Sequence, residues 1–254
     1  HITIQTLSFV VFPLLVLIFY PFFQNSDFYT LWLAVFFLAA LPSTVSSSVV
    51  MVSIARGNIP GAIFNASISG IIGIIITPLW MSIFLSSANS DFNFAQTLTD
   101  LLIQIFIPVT AGLLLHRFWG AWAIRNKSYL SMFDKAVILS IVYNSFSNSF
   151  LNGVFNTIPK WTLLLLAIIV ISLFFTGFNI AKLISKRLHF SREEQITVLF
   201  SGSKKSLIHG SVMAAVLVGS SPLGSLFLVP IMIYHAFQLF YVSIVARKMS
   251  KEDR

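Results

Sequence analysis

Two adjacent lysines inside an apolar stretch are the residues of this chain most able to do chemistry. Lys204 and Lys205 stand in Ser201-Gly202-Ser203-Lys204-Lys205-Ser206, about eight residues into the apolar run Ile196–Val218. A lysine at the centre of a membrane helix costs roughly 2.5–3.5 kcal/mol on insertion scales, so it persists where it faces a polar cavity, finds a partner or cycles its proton. At that depth the two side chains cannot both snorkel easily to an interface. A second polar run, Pro42-Ser43-Thr44-Val45-Ser46-Ser47-Ser48, interrupts the apolar stretch Thr30–Ile54. One such interruption can be a proline kink whose hydroxyls bond back to their own helix. Two at corresponding places favour a shared polar site. A helix broken in hydrocarbon leaves N–H and C=O groups unpaired at several kcal/mol each, unless protein, water, ion or substrate supplies partners. The candidate substrate- or ion-binding residues are therefore Ser46, Ser47, Ser48, Ser201, Ser203, Lys204, Lys205 and Ser206. His209 and His235 are candidate proton carriers beside them.

The sign of the site follows from where the acids are. Asp27, Asp91, Asp100, Asp134, Glu193, Glu194, Glu252 and Asp253 all fall in expected loops or near span ends. No carboxylate is left at the midplane to neutralise Na⁺ or to pair with the lysines. A sodium ion beside an ammonium would be electrostatically poor. An anion would be favoured, helped by the positive N-terminal ends of half-helices. The expected partners are a small organic anion and the lipid bilayer, with H⁺ preferred over Na⁺ as coupling ion. No cofactor and no metal site are expected. The chain has no cysteine, no HExxH, no GxSxG, no phosphate-binding glycine loop and no intramembrane acid pair, which argues against an enzyme. Asn65, Thr77, Asn144, Asn148 and Gln238 either line a path or make interhelical hydrogen bonds.

The elements that must position these residues are membrane helices. The chain is 57% hydrophobic, 9% charged and carries 26 Phe, whereas soluble domains are about 25% charged. Apolar runs of roughly 20 residues predict eight spans: Ile4–Phe23, Thr30–Ile54, Pro60–Leu85, Leu98–Phe118, Lys135–Phe155, Trp161–Ile184, Ile196–Val218 and Leu223–Ala246. With eight spans, thirteen of the sixteen Lys and Arg fall on one face and only Lys160 on the other. The positive-inside rule makes that face, with the C-terminus, cytoplasmic. This placement explains the net charge of +8 without nucleic-acid binding. A plasma or bacterial inner membrane is expected. The start on His1 rather than Met, with the apolar run beginning almost at once, reads as a chain lacking its N-terminal part.

The two interrupted spans each lie between two uninterrupted ones, giving two three-helix groups separated by spans four and five. An offset of five spans inverts the second group relative to the first, as in inverted-repeat transporters whose broken helices meet at the midplane. The expected fold is an all-α polytopic membrane protein with two crossing broken helices. Residues 1–86 and 160–246 would form the two halves of a core domain and 94–155 part of a panel domain, with 247–254 as a cytoplasmic tail.

At these motifs the sequence resembles the bile acid/sodium symporter superfamily, in the branch of solute carrier family 10 member 7 and the bacterial YfeH-type symporters. The resemblance rests on Leu41-Pro42-Ser43-Thr44-Val45-Ser46-Ser47-Ser48-Val49, Ile63-Phe64-Asn65, Gly73-Ile74-Ile75-Ile76-Thr77-Pro78-Leu79, Ser203-Lys204-Lys205-Ser206-Leu207 and Val229-Pro230-Ile231-Met232-Ile233-Tyr234-His235. It implies ten helices in two inverted repeats of five, a panel domain sliding against a core, and a chain that begins at the third helix. Alignment by the second break places Phe200 where sodium-coupled members carry an acid, and Lys204-Lys205 where they carry Gln-Asn. Ser48-Val49 stands where their first crossing helix offers Ser-Asn. The resemblance thus implies alternating access by a secondary transporter, while these departures point to a sodium-independent or proton-linked carrier with Lys204 as its charged group. The alternatives are a Na⁺/organic-anion symporter and a non-transporting membrane regulator of ion homeostasis.

Overall fold

The computed structural model describes residues 1–88, 94–103, 107–151, 159–218 and 223–251, and the regular structure of the described residues is helical. The chain opens with α1 (Ile2–Thr6), a π-helical turn (Leu7–Val11) and α2 (Phe12–Leu17), one continuous helical run, followed by the short α3 (Tyr20–Phe23). Helices α4 (Tyr29–Ala40) and α5 (Ser46–Ile54) come next, then the long α6 (Ile59–Ala88). The middle of the chain holds α7 (Phe94–Leu101), α8 (Ile107–Arg125) and α9 (Lys127–Leu151). Helices α10 (Lys160–Arg187), α11 (Arg192–Gly202), α12 (Leu207–Val218) and α13 (Leu223–Lys251) complete it.

Three of these are long and apolar enough to cross a membrane: Ile59–Leu85, Lys160–Arg187 and Leu226–Lys251. The apolar stretch 30–54 is divided between α4 and α5, and 196–218 between α11 and α12. The first division has a local cause. Leu41 precedes Pro42 and is extended, with ψ 151°, because the proline ring disfavours the helical region for the residue before it.

The middle of the chain differs from expectation. A loop was expected between Phe118 and Lys135, yet α8 runs to Arg125 and α9 starts at Lys127, with only Asn126 between them. The intervening residues contain no proline, and Asn126 caps the turn by donating from its side chain to the Trp122 carbonyl at 2.9 Å. The basic residues there mark a side of the membrane in the sequence reading, not the end of a helix.

Among the described residues, every member of the main buried apolar cluster lies in 4–85 or 166–246. Helix α4 is its centre. Residues 32–41 are all buried, as expected for a helix apolar on every side. Trp32 stacks on Phe36, and both meet Phe84 edge-on. On the far side, Phe174 of α10 packs edge-on against Tyr234, Phe237 and Tyr241 of α13. Gly177 lets α10 approach the first helical run so closely that a Cβ there would stand 2.1 Å from Phe12 Cζ.

Helices α5 and α10 end alike. Arg56 and His189 have φ of 59° and 53°. The Gly57 and Phe190 amides return to the Val52 and Ser185 carbonyls at 2.8 and 3.2 Å. This is the Schellman arrangement, which satisfies carbonyls that the last turn leaves open. Ser191 and Glu194 then open α11 with a reciprocal capping box.

Candidate functional site

The site is built from carbonyls that have lost their helical donors. Where α4 stops, residues 39–42 retain outward-facing oxygens, and each is taken by a group from elsewhere. Lys205 Nζ donates to Ala39 O at 2.6 Å and Leu41 O at 2.9 Å. Thr77 Oγ1 donates to Ala40 O at 2.8 Å, and the Ser206 amide to Pro42 O at 3.0 Å. The end of α11 is completed in return by the other segment: Ser43 Oγ donates to Ser201 O at 2.5 Å and Ser48 Oγ to Phe200 O at 3.2 Å. Ser203 Oγ turns back to Leu199 O, and the Tyr234 hydroxyl donates to Ser203 O, both at 2.6 Å. The two non-helical segments, 41–45 and 203–206, are therefore each other's hydrogen-bond partners, although some 160 residues separate them in sequence.

Lys205 has a third acceptor, Ser8 O at 2.8 Å, and the local sequence explains why that oxygen is open. In the π register the Phe12 amide reaches Leu7 O. The residue that would serve Ser8 in the same register is Pro13, which has no N–H. The lysine supplies the missing donor, and the Phe12 ring lies 4.4 Å below its nitrogen. The Lys205 backbone is held as firmly, its amide donating to Gln238 Oε1 at 3.0 Å and its carbonyl accepting from Gln238 Nε2 at 2.9 Å.

Lys204 sits differently. Its ammonium is fully buried and donates to Ser47 O at 2.8 Å, in the first turn of α5. Thr44 Oγ1 lies 2.7 Å from Ser47 Oγ and 3.1 Å from Ser48 Oγ, tying that turn to the extended segment before it. Among the described residues, the hydrogen-bond partners of both lysines are carbonyl oxygens, not carboxylates. Positive charge at the C-terminal end of α4 is favoured by the helix dipole.

Among the expected site residues, Ser48, Ser201, Ser203, Lys204, Lys205 and Ser206 are buried together, Ser47 is half-buried and Ser46 is exposed. The Ser201 hydroxyl is buried with no hydrogen-bond partner among the described residues, and so is that of Ser8. The histidines attach at different points. His209 Nδ1 lies 2.9 Å from Ser206 Oγ, and His235 Nδ1 lies 2.9 Å from Gln238 Nε2. Asn148 lies among side chains outside the described set, and Asn144 is exposed. Ser8, Ser43 and Tyr234 were not expected here. Pro13, five residues after Ser8, is the one local signal, and it acquires meaning only once Lys205 is placed.

The Tyr234 hydroxyl offers a direct check on this network. Tyr234→Phe leaves the buried Ser203 carbonyl without its donor, a loss of about 1–3 kcal/mol. The purified variant should melt below the parent in detergent. An unchanged melting temperature would mean that another group satisfies Ser203.

Comparison with known proteins gives the family. The sequence model of the SBF-like CPA transporter family matches residues 1–251. An uncharacterized protein of Pseudomonas aeruginosa is 36% identical over 99% of this chain and 75% of its own length. "Putative symporter YfeH" of Escherichia coli is 30% identical, again over 99% of this chain and 75% of its own. "Sodium/bile acid cotransporter 7" of the mouse is 27% identical over 82% of this chain and 61% of its own. The match runs through both paired segments and both lysines, and a buried polar junction among apolar helices is what a membrane carrier requires of its interior. The chain therefore belongs to the SBF-like CPA transporter family, and is an integral membrane transporter rather than an enzyme.

Proposed function

We propose that this protein is a secondary carrier of an organic anion, sodium-independent or proton-linked, working by alternating access around the junction of segments 41–45 and 203–206. In this reading the chain has eight spans in an inverted repeat. Helices α4–α5 and α11–α12 are its two broken crossing helices, 1–86 with 160–246 form the core, and 94–155 contribute to the panel. Confinement of the buried cluster to 4–85 and 166–246 supports that division. The basic connections and C-terminus face the cytoplasm of a plasma or bacterial inner membrane.

Lys204 carries the proposal. Its one partner among the described residues, Ser47 O, can be satisfied equally by an ammonium or by a neutral amine, so that neighbour does not fix its proton count. A charged Lys204 gives an anion its counter-charge at the midplane. A Lys204 that releases its proton removes that counter-charge and resets the carrier. Ser46 and Ser47 line the entrance to it, and His209 and His235 relay protons to the junction.

Uptake by proteoliposomes tests this, with a panel of labelled carboxylate and sulfonate anions that includes taurocholate. The expected result is uptake driven by a pH gradient and indifferent to a Na⁺ gradient. Uptake driven by Na⁺ instead would make the chain a Na⁺/organic-anion symporter. The pairing of the carbonyls of residues 39–42 and of residues 200, 201, 203 and 205 favours one further reading, a regulator of ion homeostasis without turnover. Absence of flux under both gradients, from protein that melts cooperatively, would select it.

A further inference from the structure

The surroundings of the two lysines give them different tasks. Lys205 Nζ is ringed by three carbonyl oxygens, Ser8 O, Ala39 O and Leu41 O, at 2.8, 2.6 and 2.9 Å. Carbonyls only accept. A neutral amine brings two N–H groups and a lone pair, so one of the three oxygens would face that lone pair. An ammonium brings three donors and satisfies all three. The Phe12 face at 4.4 Å adds a cation–π contact, and two of the oxygens belong to the negative end of α4.

A ring of backbone carbonyls at a helix C-terminus, closed by an aromatic face, is a cation site by its chemistry. We propose that the Lys205 ammonium is a tethered cation that permanently fills this site, binding the first helical run to the end of α4 in the way a dissolved monovalent ion would. The junction is then loaded by its own side chain, and assembly of its geometry requires no ion from solution. Lys204, with one carbonyl partner, remains the exchangeable charge, and Lys205 the fixed one. Lys205 is a positioning residue: it holds the carbonyls of residues 39 and 41 while Gln238 holds its backbone. The consequence for transport, independence from sodium, rests on the carrier reading above, whereas the occupancy itself does not.

Removal of the side chain should therefore expose a site for small ammonium-type cations. Lys205→Ala and Lys205→Met are compared with the parent as purified full-length proteins. Melting is followed in choline, sodium, potassium, ammonium and methylammonium chlorides at one ionic strength. The parent should melt identically in all five. Lys205→Ala should melt lower in choline, by roughly 5–10 °C, and recover at least half of that in ammonium or methylammonium. Lys205→Met fills the space with an apolar stem and should not recover. Melting of Lys205→Ala at the parental temperature in choline would overturn the proposal, as would a loss that none of the cations repairs.

Should Lys205→Ala fail to fold, ¹⁵N-lysine spectroscopy of the parent decides, with Lys205→Arg used to assign the signal. Three protons on the Lys205 nitrogen support the tethered cation, and two overturn it. None of these readouts involves flux. A parent with the tethered ammonium that moves no anion would defeat the carrier reading alone, and an anion carrier with a neutral Lys205 would defeat this one alone.

Discussion

Lys204→Gln protein should fold, melt close to the parent and lose pH-gradient-driven anion uptake by about a hundredfold. The near-normal stability follows from the small loss: Lys204 makes one hydrogen bond among the described residues, to Ser47 O, and glutamine removes the buried charge while keeping an N–H donor on a side chain one bond shorter. The loss of flux follows from charge. A hundredfold is about 2.8 kcal/mol at 1.4 kcal/mol per decade, within the 2–5 kcal/mol typical for truncating one partner of a buried charged contact. Uptake and melting measured on the same preparation separate the two effects. A folded Lys204→Gln protein with full uptake would remove Lys204 from the mechanism. Lys204→Arg distinguishes the two uses of the charge. A guanidinium keeps its proton at all working pH, so anion binding should survive while coupling to the pH gradient is lost.

The second large effect is expected far from either lysine in sequence. Gly177→Val should destabilise the protein by roughly 3 kcal/mol or more, at or beyond the upper range for overpacking a well-filled core. A Cβ at Gly177 would meet Phe12 Cζ at 2.1 Å, Cε1 at 2.7 Å and Cε2 at 2.7 Å. The Phe12 ring has nowhere to retreat: it is fully buried, with Lys205 Nζ over its face and Tyr234 edge-on to it. Relief by a tip-directed change is the diagnostic. Phe12→Leu in the Gly177→Val background should restore part of the lost stability, a coupling that distant sites do not show. Melting of the four proteins of this cycle in detergent measures it, and strict additivity would mean that the valine is accommodated by another movement. Because Phe12 also lies under Lys205, Gly177→Val should cost transport as well as stability.

The substitutions divide the junction into parts with separate tasks. Gly177 and Phe12 set how closely α10 meets the first helical run. Tyr234, Ser43, Ser48 and Thr77 satisfy carbonyls at the ends of α11 and α4. In the reading proposed here, Lys205 fixes the junction and Lys204 works in it. Of the expected site residues, Ser201 has a buried hydroxyl with no partner among the described residues, which in this reading leaves it open to a ligand.

Some of this was written in the sequence because it depends on sums over neighbouring residues. The scarcity of charge and the long apolar runs require a bilayer whatever path the chain takes. The prolines and serines of 42–48 and the lysines of 201–206 stand out locally against those runs. Motif order was enough to point to the transporter family. The extent of α8 and α9 was less legible, since the basic residues between Phe118 and Lys135 signal topology without forbidding helix. The sequence marks both lysines and favours Lys204 as the charged group, but nothing in it shows what either side chain meets. Tertiary structure alone supplies those partners. Consecutive side chains leave the non-helical segment in different directions, so Lys204 reaches Ser47 O in α5 while Lys205 reaches Ser8 O, Ala39 O and Leu41 O. Those oxygens are open because Pro13 withholds a donor from one element and Pro42 ends another. Which ammonium meets which carbonyl is a matter of where segments nearly two hundred residues apart come to rest, and no local pattern encodes that.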